Sequence, residues 1–108
     1  MEAVLKAIAE PHRRRILEII GDGEVAAGAI AAQFDVTRSA VSQHLGILKD
    51  AGLLAERREG TRRLYRARPE GFADVRDFLD QFWSEGLVRL KHAAEREERT
   101  RDRAASRN

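Results

Sequence analysis

The sequence contains no cysteine. Disulfides, thiolate metal ligands and thiol redox sensing are therefore excluded. Long apolar runs are also missing, and none approaches the roughly 18 residues that a membrane-spanning helix needs. No signal-peptide pattern opens the chain, so a cytoplasmic protein without a membrane partner is expected. Nor is there a nucleophile beside a base, a carboxylate pair set for a cleft, or a phosphate-binding loop, so no enzyme is expected. Only two prolines occur, Pro11 and Pro69, which makes each a strong local signal.

What is present is charge, unevenly placed. The 108 residues carry 20 basic and 18 acidic side chains, a net charge of only +2. Between residues 57 and 68, however, Arg57, Arg58, Arg62, Arg63, Arg66 and Arg68 face a single acid, Glu59. From Pro69 to Val88 the balance reverses, with Arg76 alone against Glu70, Asp74, Asp77, Asp80 and Glu85. A concentrated positive segment beside a negative one points to a polyanion on one side of the molecule. The length allows one domain with one core.

Hydrophobic periodicity gives the element order α-α-α-α-β-β-α, mainly helical with a small β-hairpin. Met1, Val4, Leu5 and Ile8 mark one face of a first helix too short to stand alone. Pro11 suits the first position of a second helix, which Gly21 stops. Val25 to Phe34 reads as a short third helix with Ile30 and Phe34 buried. Asp35 and Val36 connect it to a fourth, from Thr37 to Ala51, N-capped by Thr37 and lined by Val41, Leu45 and Leu48. Gly52 fits the left-handed position after that helix, with Leu53 returning to Leu48. Strands at Leu53 to Arg58 and Arg62 to Ala67 flank a turn at Glu59, Gly60 and Thr61. A long last helix begins near Phe72. The domain is expected over residues 1–95, and 96–108 as a charged, frayed tail in which pairs such as Glu95 with Arg99 can prolong the helix.

Two helices joined by a tight turn, the second with a polar outer face, describe a helix-turn-helix. At 100° per residue, Arg38, Ser39, Ser42, Gln43, Gly46 and Lys49 lie opposite the apolar stripe. Gln can pair bidentately with adenine, Arg can fork onto guanine, and Ser suits either groove edge. An ordinary solvated face would be richer in Glu and Lys. The arginine hairpin that follows suits a wing on phosphates or in a minor groove, because clustered like charges repel unless a polyanion meets them. The expected DNA-binding set is Thr37, Arg38, Ser39, Ser42, Gln43, His44, Lys49, Arg57, Arg58, Arg62 and Arg63. Tyr65 packs on the inner side of the wing or contacts a base.

These residues resemble the arsenic-repressor-like (ArsR/SmtB) family of winged-helix regulators. The likeness runs from about Ala7 to Pro69. It is carried by Glu10-Pro-His-Arg-Arg-Arg-Ile-Leu17, Ser39-Ala-Val-Ser-Gln-His-Leu45, Leu48-Lys-Asp-Ala-Gly-Leu-Leu54 and Gly60-Thr-Arg-Arg-Leu-Tyr65. The resemblance implies a homodimer, joined through its first and last helices, that represses transcription from duplex DNA. Metal-sensing members carry a Glu-Leu-Cys-Val-Cys-Asp box, whereas Glu24 to Ala29 here reads Glu-Val-Ala-Ala-Gly-Ala. The Asp-x-His and Glu-x-x-His ligands of other members are absent from the last helix, so the metal response does not carry over.

The remaining candidates are weaker. His12, His44 and His92 fall in three different helices without paired ligand spacing, so neither a metal nor another cofactor is expected. His44 packs beside the fourth helix or touches a phosphate. Arg13, Arg14 and Arg15 oppose a helix dipole and call for acidic or phosphate partners. Leu5, Ile8, Phe78, Leu79, Phe82, Trp83, Leu87 and Leu90 form the expected dimer interface, although the aromatic stripe also admits a ligand pocket. Beside a sequence-specific repressor stand an architectural nucleic-acid binder and a protein-interaction module. Whether an inducer exists is not legible.

Overall fold

The computed structural model describes residues 1–106. Helices α1 (Glu2–Ile8), α2 (Pro11–Ile20), α3 (Ala27–Ala31), α4 (Arg38–Asp50) and α5 (Ala73–Ser106) accompany strands β1 (Glu24–Ala26), β2 (Leu54–Glu59) and β3 (Arg62–Ala67). A short 3-10 turn, Pro69–Phe72, precedes α5. The chain divides into two compact units, 1–75 and 76 onward.

The first unit closes around one core. Ile16, Ile30, Leu45, Leu48, Leu53 and Leu54 are fully buried, joined by Val4, Ala7, Ile20, Val41, Tyr65 and Val75. The helix boundaries follow local chemistry. Thr37 Oγ1 accepts from the Ala40 amide at 3.1 Å and caps α4. At the other end, the Gly52 amide donates to Lys49 and the Leu53 amide to Leu48, with Gly52 at φ +80°. That is a Schellman closure, and it aims the chain from the polar helix straight into β2. Gly71 is required for contact: a Cβ there would overlap the Gly52 carbonyl oxygen.

The sheet is antiparallel with order β1-β3-β2. Gly60 and Thr61 alone join β2 to β3, since Glu59 pairs with Arg62, and Gly60 takes φ +62°. A glycine with positive φ at the first central position is the two-residue hairpin geometry that matches strand twist.

The expected third helix is corrected. Glu24–Ala26 is a strand, with Val25 opposite Tyr65, and only Ala27–Ala31 is helical. The register with β3 supplies hydrogen bonds that local helix propensity could not anticipate. The last helix also continues beyond the expected boundary at residue 95, through Ser106. Arg101 reaches Glu97 at 2.9 Å, while Arg99 bonds the Glu95 carbonyl oxygen instead of its carboxylate. Arg107 and Asn108, the end of the expected tail, lie outside the described residues. No described helix is long and apolar enough to cross a membrane.

Candidate nucleic-acid interface

One flank of α4 is packed and the other is open. Val41, Leu45 and Leu48 are buried, whereas Arg38, Ser39, Ser42, Gln43 and Lys49 are exposed. Among the described residues, the side chains of Arg38, Ser39, Ser42 and Gln43 have no partner. A Cβ at Gly46 would meet nothing within 4 Å, so the helix surface there is free for close approach. Lys49 is partly committed, at 3.5 Å from Glu56. The Thr37 hydroxyl is engaged as the cap.

His44 departs from this face. Its ring stacks on His12 at 5.5 Å between centroids, Arg13 Nη1 lies 3.3 Å from its Nδ1, and a Glu10 oxygen stands at 3.9 Å. The ring therefore packs toward the start of α2 and is less exposed than the outward set. Glu10 is the N-cap of α2, accepting from the Arg13 amide at 3.0 Å. The hydrogen bond with His12 is the main reason its carboxyl is held down at about 2.

The hairpin sorts its arginines by strand alternation, because successive side chains point to opposite faces. On one face, Arg57 meets Glu24 across β3 (Nε to Oε2 3.2 Å) and Glu59 at 3.2 Å. This pair reaches over Leu64, the cross-strand partner of Arg57, which is buried although it lies outside the main core. Arg57 was expected on DNA. In the chain by itself it pairs with acids of the sheet while staying half exposed, and its hydrogen bond holds the Glu24 carboxyl below the usual carboxylate range.

The other face carries Leu54, Glu56 and Arg58 on β2 and Arg63 and Tyr65 on β3. Tyr65 is buried and its hydroxyl donates to Glu56 at 3.0 Å, the inner packing role expected for it. Glu56 in turn contacts Lys49, so this face is the one beside α4. Arg58 and Arg63 are direct cross-strand partners. Like charges placed opposite each other destabilise a sheet, by roughly 0.2–1 kcal/mol. Arg58 on this face, and Arg62 on the other face opposite Glu59, make no ion pair among the described residues. Arg63 adds positive field beside the Tyr65 hydroxyl.

Among the described residues, Arg13 and Arg14 pair with no acid. Arg13 donates from Nε to the Ala7 carbonyl (2.7 Å) and from Nη2 to Lys6 (3.2 Å), and Arg14 donates to Ile8 (2.7 Å) and Ala9 (3.0 Å). Together they satisfy the orphan carbonyls at the end of α1, where cations are favoured. Arg15 pairs with Glu18 at 3.3 Å.

In the second unit, Phe78, Leu79, Phe82, Trp83, Leu87 and Leu90 are all about half exposed. Val88, not among the expected interface residues, is exposed as well. Leu5 and Ile8 pack partly against the core of the first unit.

Known proteins share this arrangement. A family model described as a helix-turn-helix domain matches residues 8–57. The HTH-type transcriptional regulator Rv2034 of Mycobacterium tuberculosis is 45% identical over 83 residues, covering 77% of this chain and 78% of that protein. The transcriptional repressor SdpR of Bacillus subtilis is 34% identical over 86 residues, covering 80% and 96%. A solution structure from Mycobacterium bovis superposes with a TM-score of 0.61 at 36% identity, over 80% of each chain. It is described as the homodimeric winged helix-turn-helix DNA-binding domain of a possible ArsR-family transcriptional regulator. The packed and open flanks of α4, the arginine wing and these likenesses agree: the chain belongs to the ArsR family of winged helix-turn-helix transcriptional regulators.

Proposed function

We propose that this protein is a homodimeric, cytoplasmic transcriptional repressor that binds a near-palindromic duplex operator and has no catalytic activity. The observation that carries the reading is the open face of α4, where Ser39, Ser42 and Gln43 project without internal partners. Such groups gain hydrogen bonds from base edges in a major groove, and Arg38 stands beside them for a guanine or a phosphate. Arg58, Arg62 and Arg63 on the wing neutralise backbone phosphates, which relieves the repulsion between the opposed Arg58 and Arg63. Thr37 and Lys49 sit at the ends of the reading helix and contribute backbone contacts.

The exposed stripe of α5 supports the dimer. An apolar surface of this kind needs a partner, and a twofold copy offers an identical stripe together with Leu5 and Ile8. Two reading helices then face one side of the duplex, one or two turns apart. The test is selection of bound duplexes from a random pool, using protein whose mass has been measured by light scattering. A two-chain mass and a consensus of two inverted half-sites are expected. A single-chain mass with intact binding overturns the dimer, and binding without a consensus makes the protein an architectural binder.

A further inference from the structure

Sequence spacing separates His12 and His44 by 32 residues, but the fold stacks their rings with an interplanar angle of 7°. Glu10 completes the group. Its Oε1 lies 2.8 Å from His12 Nδ1 and its Oε2 lies 3.9 Å from His44 Nδ1. One ligand atom from each residue can be chosen so that all three lie within 4.8 Å of one another. We infer that Glu10, His12 and His44 form a binding site for a divalent transition cation of the zinc class, linking the start of α2 to the reading helix α4.

The donor set and its spacing carry the inference. Two imidazoles and one carboxylate suit zinc, cobalt or nickel and suit magnesium or calcium poorly. Ligand bonds of about 2.0–2.2 Å in a tetrahedron put donor atoms about 3.4 Å apart. The three ligand atoms already lie within 4.8 Å of one another, so adjustments of about 1–1.5 Å and a turn of the stacked rings would close the site. Three protein ligands leave a fourth position for water. The site is reachable, since the side chains of His12, Glu10 and His44 are 43%, 29% and 19% exposed.

The neighbouring contacts permit occupancy. Glu10 caps α2 through Oε2, leaving Oε1 to exchange its bond with His12 for the cation. Arg13 holds the α1 carbonyls through Nε and Nη2, so a cation at His44 displaces only the Nη1 contact. The guanidinium opposes a second positive charge, which the Glu10 carboxylate offsets. This donor set lies apart from both ligand patterns of the metal-sensing relatives described above.

The test is a titration of the metal-free full-length protein with cobalt(II), read by its visible absorption, followed by displacement with zinc. One tetrahedral cobalt per chain is expected. His12→Ala should weaken binding by about tenfold or more, since even the loss of an outer-shell partner costs 10–100-fold. His92→Ala should leave binding unchanged. His44→Asn should behave as His12→Ala does. If it fails to fold by circular dichroism, the half-exposed His12 variant decides alone. No tetrahedral band, equal binding by His12→Ala, or loss of binding in His92→Ala overturns the site.

Discussion

Two groups of arginine, Arg13 with Arg14 and Arg58 with Arg62 and Arg63, look alike in sequence and differ in what their charges do. Arg13 and Arg14 are consumed internally, each holding two carbonyl oxygens at the end of α1. On the hairpin, Arg58 and Arg62 have no acidic partner among the described residues, and Arg58 directly faces Arg63. The first cluster lowers the free energy of the isolated fold. The second raises it slightly and lowers it only against a polyanion. Basic residues announce a partner when the fold leaves them unpaired, and a count of them in the sequence does not distinguish the two cases.

The largest difference between the two clusters is expected at Arg13. Arg13→Ala strips charged hydrogen bonds from the α1 carbonyls and should cost about 1.5–3 kcal/mol of folding stability. That is read as a lowered thermal midpoint, with the salt dependence of DNA binding unchanged. A stable Arg13→Ala protein with a weaker salt slope would reverse the assignment of the two clusters. Changing Arg62 and Arg63 to Ala should do the opposite. The melting midpoint holds or rises slightly as the repulsion between Arg58 and Arg63 is removed, affinity falls for all duplexes alike, and the slope of log affinity against log salt drops by about 0.9 per lost phosphate contact. An unchanged slope would place these arginines away from the backbone.

Glu24→Gln sharpens the contrast within the wing by releasing Arg57. The salt slope should rise by at most about 0.9, since Glu59 still holds part of that charge. The substitution also has a signature in pH. The Arg57 hydrogen bond lowers the Glu24 carboxyl below its ordinary 4.5, so its stabilising contribution is complete above that pH. It is lost as pH falls through the lowered native value. The stability gap between the wild type and Glu24→Gln, present at neutral pH, should therefore close below about pH 4.5. A gap that stays constant down to pH 2 would show that the pair contributes nothing.

Much of the fold was legible because short-range chemistry set it. Thr37 and Gly52 bracket the reading helix, Pro11 opens α2, and Gly60 turns the hairpin, each by a local preference that tertiary packing leaves intact. The exposed set on α4 followed from helical angle alone. What escaped depended on partners distant in sequence. Val25 became a strand because Tyr65 lies opposite it. Arg57 is paired within the sheet because Glu24 crosses β3 to meet it, and β1 itself was not foreseen. His44 turned inward because α2 brings Glu10, His12 and Arg13 to its side. The stacked histidines left no trace in spacing, since neither shares an element with the other.

On the proposed function, α4 reads bases through Ser42 and Gln43. The most direct measurement is the affinity ratio between operator and scrambled duplex for the Ser42→Ala, Gln43→Ala double variant and the unmodified protein at one salt concentration. Specificity should relax at the contacted position of each half-site by about 1–3 kcal/mol per lost pair of bonds, while affinity for scrambled duplex stays within experimental error. A double variant that keeps the full operator preference would contradict the assignment of α4 as the reading helix.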